Sequence, residues 1–323
     1  MTRRHLLAAL AAATLNALLP LPAAAQAAWP EKDLKFVLPF AAGGSADLTA
    51  RLYAAALGKQ LNRNVIVENR PGAGGLIGSD LVAKSPADGY TLLIAGNGYV
   101  TLPLLRQKMP YAEGDLVPVS TMNTTPSVLM SNAPGVKSLK DLQALGRAKG
   151  GLNFGTAGLG STGHFVAEML RDALGVNATI VHYKSGSEVV NALIGGQIDA
   201  AAEAAVAART YVGSGKVAGL GVTSETRSAL LPELPTTVEQ GFGGIRMQHW
   251  GGLFAPRGTP PAVIDRLHAA MQAAMRDDAT LRSQLASNGY EALLGSRADF
   301  ERRLQDERQR LAKIVAESKM SLD

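Results

Sequence analysis

Residues 34–67 read LKFVLPFAAGGSADLTARLYAAALGKQLNRNVIV, and this stretch decides the fold. The apolar run 34–38 predicts a β-strand, and Gly43-Gly44-Ser45 predicts a turn. Apolar residues at helical spacing then predict a helix over 46–61, and Val65-Ile66-Val67 predicts a second strand. A strand–helix–strand unit of this kind indicates an α/β architecture.

A second unit of the same design lies farther along the chain. Leu152-Asn153-Phe154 predicts a strand, Gly158-Leu159-Gly160-Ser161 a glycine turn, and 165–174 a helix. Another strand is expected at Thr179-Ile180-Val181. Because both units have the order strand, glycine turn, helix, we predict two related lobes, each a mixed sheet flanked by helices, with a ligand cleft between them.

Two stretches are predicted to connect the lobes. Residues 117–130 would form an extended passage out of the first lobe, and 250–254 would form the return. These crossings assign 28–124 and 250–323 to lobe I and 125–249 to lobe II. Two crossings between lobes make a hinge.

The first 27 residues have the plan of a cleavable secretory signal. Arg3 and Arg4 supply positive charge, 6–21 is an apolar run, and the alanines within 23–27 offer small-residue cleavage sites. A membrane anchor is the alternative, but the run is shorter than the roughly 20 apolar residues of a span. The sequence therefore predicts a periplasmic protein. Its two arginines leave the choice between the Sec and twin-arginine export pathways open.

The composition excludes several kinds of functional site. There is no cysteine, so disulfides, thiol catalysis and zinc–thiolate sites are excluded. The formal net charge of +5 is spread along the chain. The charge-rich stretch 301–313 mixes both signs and belongs to a helix with an apolar stripe, which indicates a solvated surface helix rather than nucleic-acid binding. The apolar stripe consists of Phe300, Leu304, Leu311 and Val315. No metal and no cofactor is predicted.

The two glycine loops are the strongest candidates for a binding site. A helix N-terminus has main-chain N–H groups without partners and a partial positive charge, and glycines let an anion approach them. If the loops face each other, each lobe holds one end of a small acid. The alternative is that both are plain turns whose glycines only supply a positive φ. The residues concerned are Phe40, Ala41, Ala42, Gly43, Gly44 and Ser45 in the first loop and Ala157, Gly158, Leu159, Gly160, Ser161 and Thr162 in the second.

The second loop also matches a dinucleotide-binding fingerprint, Gly158-x-Gly160-x-x-Gly163. That fingerprint needs an acidic residue about 20 residues farther on, at the end of the next strand. The next strand leads into His182-Tyr183-Lys184, and no acid occurs before Glu188. The dinucleotide interpretation is therefore the weaker one.

Five residues outside the loops are further candidates for contact with a ligand. Asp47, in the first turn of its helix, either complements the helix dipole or takes an ammonium group. Glu203 follows an apolar strand and either points into the cleft or is a surface or paired glutamate. Gly74 and Asn97 lie in loops after predicted strands, where open α/β sheets bind ligands, and Trp250 lies at the return crossing. Plain turns, for Gly74 and Asn97, and a half-buried hinge aromatic, for Trp250, are the alternatives.

Motifs of known catalytic sites do not occur. The sequence has no G-x-S-x-G, G-x-x-x-x-G-K-[ST] or H-E-x-x-H pattern. A triad of Ser161, His164 and an unnamed acid keeps a secreted α/β hydrolase as an alternative. We predict a binding protein that is not an enzyme.

Seven segments, taken together and in order, resemble the Bug family, the TctC-type receptors of tripartite tricarboxylate transporters. The resemblance covers nearly the whole mature chain and implies a two-lobe periplasmic binding protein of type II. It implies that the glycine loops grip a ligand carboxylate, and its motifs add His164 and Tyr183 to the candidate ligand-binding residues. The segments are Trp29-Pro30, 37–47, 67–75, 88–93, Gly158-x-Gly160-Ser161-x-x-His164, His182-Tyr183-Lys184 and 231–236.

The resemblance also implies ligands and partners. Organic acids, amino acids or aromatic acids are the expected ligands of a monomeric receptor. Permease subunits of a tripartite transporter, or a sensor protein, are the expected partners. The chain departs from the family at Ala42, where a proline is frequent, and at Glu203, where Asp or Asn is frequent. Glu203 would favour an amine-bearing ligand.

Overall fold

The structure is a computed structural model that describes residues 29–322, and the predicted signal segment 1–27 lies outside them. None of the helices in the described part is both long enough and apolar enough to cross a bilayer. The strands are β1 (Leu34–Leu38), β2 (Val65–Asn69), β3 (Thr91–Ala95), β4 (Leu116–Ser131), β5 (Leu152–Thr156), β6 (Ala178–His182), β7 (Ala200–Ala204), β8 (Ala218–Val222), β9 (Gln248–Pro256) and β10 (Glu291–Ala292). The α-helices are α1 (Ser45–Leu61), α2 (Leu76–Ala83), α3 (Gly98–Leu105), α4 (Leu139–Lys149), α5 (Thr162–Leu174), α6 (Gly186–Ile194), α7 (Ala205–Gly213), α8 (Pro261–Asp277), α9 (Ala279–Ser287) and α10 (Arg297–Ser318).

The described strands form one mixed sheet in the order β2-β1-β3-β9-β4-β7-β5-β6, with β8 and β10 also paired to β4. β1 is parallel to β2 and β3, and β5 is parallel to β6 and β7. The partners of β4 are all antiparallel to it. The α/β class predicted from the two strand–helix–strand units is therefore confirmed.

β4 belongs to both ends of this sheet. Its stretch from Leu116 to Pro126 pairs with β9, and its stretch from Ser127 to Ser131 pairs with β7 and β8. We call β1, β2, β3, β9 and β10 with the first stretch of β4 the first half-sheet. The second half-sheet is β5 to β8 with the second stretch. The predicted passage 117–130 is thus one continuous strand.

Local sequence signals explain where several helices begin and end. Ser161 precedes α5, and its side chain accepts a hydrogen bond from the main-chain N–H three residues on. Ser296 and Asp299 form a reciprocal capping box at the start of α10. Gly175 follows α5 in the left-handed conformation, which suits glycine because it has no Cβ. The predicted helix over 165–174 therefore begins three residues earlier than its apolar spacing indicated.

An aromatic cluster joins α10 to the crossing strand β9. Phe300 on α10 lies with its ring centroid 5.8 Å from that of Trp250 and 5.4 Å from that of Phe254, and it is 1% exposed. Gly252 lies between these two strand residues, and a Cβ there would lie 2.4 Å from Cζ of Phe300. The absence of a side chain at Gly252 is what lets Phe300 pack on the strand.

Replacing Gly252 with alanine tests this packing. We expect Gly252→Ala to lower the free energy of unfolding by about 1–3 kcal/mol, because the added methyl overpacks a full core. Chemical denaturation measures it. Gly244→Ala is the matched control, since a Cβ there meets nothing within 4 Å. In a Phe300→Leu background the cost of Gly252→Ala should shrink, and an equal cost in both backgrounds would contradict the contact.

Candidate functional site

A cavity of about 610 Å³ lies at the ends of β1 and β3, along the middle of β4 and at the start of β9. Both half-sheets contribute to its wall, because the loop before α5 lines it together with residues of the first half-sheet. Eight of the residues predicted from sequence line this cavity: Phe40, Gly74, Asn97, Leu159, Gly160, Ser161, Thr162 and Trp250.

The other predicted residues lie outside the cavity wall. Ala41, Ala42, Gly43 and Gly44 are on the exposed outer side of the first loop. Ser45 is the first residue of α1. Six further residues do not appear among the residues that line the cavity: Asp47, Ala157, Gly158, His164, Tyr183 and Glu203.

Asp47 is occupied by its own loop. Its Oδ2 accepts hydrogen bonds from the Gly43 N–H at 3.0 Å and from Arg51 Nε at 3.1 Å, and its Oδ1 accepts one from Asn69 at 2.9 Å. These bonds, that from Arg51 first, lower the pKa of Asp47 to about 2. The ammonium-binding role is therefore corrected to that of a carboxylate at a helix start, which also takes one N–H of the loop.

The second loop is held by a histidine. His164 Nδ1 accepts a hydrogen bond from the Gly160 N–H at 3.1 Å, and Ser161 Oγ accepts one from the His164 N–H at 3.2 Å. Gly160 has a φ of +75°, which suits glycine. Its N–H is thus committed inside the protein, which corrects the prediction that it serves the ligand. The first two N–H groups of α5, those of Thr162 and Gly163, form no hydrogen bond within the described chain.

His164 is a buried anchor and not a base. Its side chain is 4% exposed, and because Nδ1 accepts a bond, the ring proton is on Nε2, 3.6 Å from Glu168 Oε1. Arg171 forms an ion pair with the other oxygen of Glu168 at 2.6 Å. With Nδ1 bound to Gly160, His164 cannot take a proton from Ser161 there. The hypothetical triad therefore lacks its base.

Tyr183 and Glu203 pack within the second half-sheet. Tyr183 is half-buried, and its N–H donates to the Thr156 carbonyl at the end of β5. Glu203 lies at the end of β7 with its carboxylate against α6, since a Cβ at Gly186 would lie 2.6 Å from Oε1. Burial raises the pKa of Glu203 to about 7. The structure does not place this carboxylate where it would meet an amine in the cavity.

Two cavity residues are held by an acid that sequence reasoning missed. Glu307 on α10 accepts hydrogen bonds from Asn97 Nδ2 at 2.9 Å and from Trp250 Nε1 at 2.8 Å. Asn97 also donates to the Gln248 carbonyl at 2.9 Å. Burial raises the pKa of Glu307, and its two donors oppose that effect. The signal was available, since position 307 falls on the apolar stripe of a helix, where a carboxylate needs partners.

The cavity wall carries little charge. Arg106, at the end of α3, is the only Lys or Arg lining it, and no described lining residue is acidic. His249 also lines it, and burial lowers its pKa to about 4, so the ring is neutral near pH 7. Sequence reasoning passed over Arg106 and His249, because neither lies in a glycine loop.

The anchoring of Gly160 by His164 can be tested with a pair of variants. His164→Asn keeps an acceptor near the position of Nδ1, and His164→Leu removes it. We expect the leucine variant to lose about 1 kcal/mol of stability, since it leaves a partly buried N–H without its acceptor, and the asparagine variant to lose less. Thermal denaturation and hydrogen exchange at Gly160 measure both. Equal protection of Gly160 in the two variants would contradict the bond.

Glu203 predicts a pH dependence. In the folded protein the carboxyl group of Glu203 keeps its proton up to about pH 7, whereas its ordinary pKa is 4.5. The free energy of unfolding therefore falls as pH rises from 4.5 to 7, because the unfolded chain releases the proton first. We expect Glu203→Gln to raise the free energy of unfolding at pH 8 by on the order of 2 kcal/mol and to change little at pH 4. Glu239→Gln is the control, because Glu239 is exposed and its pKa is lowered. A gain for Glu203→Gln that is equal at both pH values would contradict the assignment.

Sequence comparisons identify the family of this chain. The family model for the tripartite tricarboxylate transporter family receptor matches residues 49–320. BugT of Bordetella pertussis is 34% identical over 299 residues, which cover 90% of this chain and 90% of BugT. A UPF0065 protein of Agrobacterium vitis, from the TAR-I ttuE-ttuC' intergenic region, is 32% identical over 307 residues, covering 93% of this chain and 88% of that protein.

Solved structures give the same result. The R. palustris protein Rpa4515 with adipate has a TM-score of 0.77 and 31% identity, covering 91% of this chain and 99% of that chain. The periplasmic binding protein BugD has a TM-score of 0.74 and 30% identity over the same shares. MatC from Rhodopseudomonas palustris with bound malate has a TM-score of 0.73 and 29% identity, covering 89% of this chain and 100% of that chain. The resemblance inferred from the seven segments is confirmed, and the chain belongs to the tripartite tricarboxylate transporter family of receptors, together with the Bug proteins.

Proposed function

We propose that this chain is a periplasmic receptor that captures a small organic acid and does no chemistry on it. The observation that carries the proposal is the wall of the cavity, which combines main-chain donors at a helix start with a single arginine and no described carboxylate. Its relatives support the ligand class, since one was solved with adipate and another with malate. Both of these are dicarboxylates.

The acid is held in two ways. The N–H groups of Thr162 and Gly163 have no acceptor within the described chain and carry the positive end of the α5 dipole, so they receive one carboxylate. Arg106 attracts negative charge elsewhere along the wall. Between them the wall is largely apolar and suits a carbon chain or a ring. Its apolar side chains include Leu38, Ile94, Leu102, Met122, Leu159 and Trp250.

Amino acids are poor ligands on this proposal. An ammonium group needs an acceptor or a negative charge, and desolvating it without one is costly. Asp47 is saturated by Gly43, Arg51 and Asn69, and Glu203 lies against α6. The expectation that Glu203 favours an amine is therefore replaced by a preference for acids without an amine.

Ligand capture uses lobe closure. Lobe I comprises 28–124 and 250–323, lobe II comprises 125–249, and β4 and β9 carry the hinge. Two observations support this position of the hinge. β4 leaves the first half-sheet after Pro126, and β9 begins at Gln248. A hinge on two strands lets the second loop approach the first half-sheet while each core stays packed.

The receptor passes its ligand to the permease of a tripartite tricarboxylate transporter after export to the periplasm. Its family membership supports this role. A sensor protein that recognises the closed form is the alternative partner. Genes that neighbour this one would separate the two roles.

A panel of acids tests the ligand class. Dicarboxylates such as adipate and malate should raise the melting temperature saturably, corresponding to about 2.7 kcal/mol at 100 times Kd. Their 2-amino analogues should bind at least tenfold more weakly. Tighter binding of the amino analogues would overturn the preference, and no response to any acid by verified folded protein would overturn the receptor assignment.

The second loop can be blocked without unfolding the chain. We expect Gly160→Val to abolish the response to the acid, since its Cβ would lie 2.5 Å from Leu105 Cδ1 and the φ of +75° strains any side chain. Gly196→Val is the matched control, because its φ is +68° and its Cβ would meet nothing within 4 Å. Calorimetric titration compares them, and equal ligand affinity in both variants would contradict the site.

A further inference from the structure

A second large cavity, of about 760 Å³, lies beside the crossing strands. It shares no lining residue with the ligand cavity, although Gln248 lines the one and its neighbour His249 lines the other. Residues 223–226, which follow β8 of the second half-sheet, form one side. Residues 291–303 of the first half-sheet form another. The cavity therefore spans the same two halves as the ligand cavity.

Two half-buried arginines of α10 face this cavity. Arg303 donates through Nη2 to Gln248 Oε1 at 3.0 Å, and Arg310 donates through Nη1 to the Arg246 carbonyl. Neither forms an ion pair with a carboxylate among the described residues, and each has further N–H donors available. Burial lowers the pKa of both, which reflects the cost of keeping these charges away from water.

The other arginines of the cavity are already neutralised. Arg246 pairs with Glu225 at 3.0 Å, and Arg302 pairs with Asp299. Both pairs are exposed, so they contribute little to the field inside the cavity.

The remaining acids do not cancel the charge of Arg303 and Arg310. Glu307 lies between them in sequence, but its two oxygens accept bonds from Asn97 and Trp250, so one buried carboxylate stands against two guanidinium groups. The other two acids, Glu291 and Asp306, are exposed residues at the rim.

We propose that Arg303 and Arg310 form a second binding site, for a small tetrahedral oxyanion of the phosphate or sulfate class. Arg303 donates to the side chain of Gln248 and Arg310 to the main-chain carbonyl of Arg246, two residues away, and both guanidinium groups line the same cavity. One oxyanion can therefore bridge both, and the planar donor fork of arginine suits its oxygens.

Binding at this site should be detectable at Trp250, which lines the ligand cavity. Arg303, Glu307 and Arg310 share one face of α10, and Glu307 holds the indole of Trp250. The chain has two tryptophans, so a Trp29→Phe background leaves Trp250 as the only one.

The test titrates inorganic phosphate into the full chain in that background, at ionic strength held constant with chloride. We expect a saturable rise in melting temperature and a change in Trp250 fluorescence. Arg310→Gln and Arg303→Gln should each weaken phosphate binding at least tenfold. Lys313→Gln, on the same helix but outside the lining of this cavity, should leave it unchanged. Sulfate should behave like phosphate, and acetate should bind at least tenfold more weakly.

Several outcomes would overturn the site. These are no response to phosphate, a response that does not saturate, one of equal size in the Lys313, Arg303 and Arg310 variants, or acetate binding as tightly as phosphate. If Arg303→Gln unfolds the chain, Arg310→Gln decides alone. Gly160→Val separates this site from the ligand cavity, since it should keep the phosphate response while losing the response to organic acids. Loss of both would place the phosphate in the ligand cavity.

Discussion

The pairing of β4 with β9 is the constraint on which the rest of the structure depends. Every residue of β4 from Val119 to Ser131 is buried, so its main-chain N–H and C=O groups must find partners on neighbouring strands. β9 supplies them along the first half-sheet, and β7 and β8 supply them along the second. This pairing brings Trp250 and His249 to the cavity of about 610 Å³ and sets Gly252 against Phe300.

Main-chain donors distinguish the two glycine loops. A loop before a helix offers several N–H groups, but the protein uses some of them itself. Asp47 takes that of Gly43, and His164 takes that of Gly160. The donors left at the second loop are those of Thr162 and Gly163, at the very start of α5. Each committed bond fixes the shape of its loop, and the remaining donors keep the partial charge that attracts an anion.

Helix α10 contributes residues that contact the walls of both cavities. Its aromatic residue Phe300 packs on β9, its carboxylate Glu307 orients Asn97 and Trp250, and its arginines Arg303 and Arg310 face the second cavity. A helix with so many charged residues resembles a solvated surface element. Its inner face nevertheless carries a buried acid, because the amide and indole donors opposite it supply the hydrogen bonds that a buried carboxylate requires.

The sequence by itself determined the α/β class, the strands of both units, the passage through β4 and the family, because hydrophobic period and turn residues are local signals. It also indicated eight residues of the cavity wall. Only the tertiary structure decided which loop donors remain free, that His164 is an anchor and Asp47 is saturated, and that Glu203 lies against α6. It also brought Arg106 to the cavity and Glu307 beneath it. Those outcomes depend on contacts such as that between Asn97 and Glu307, which lie 210 positions apart along the chain, and no local pattern encodes such a contact.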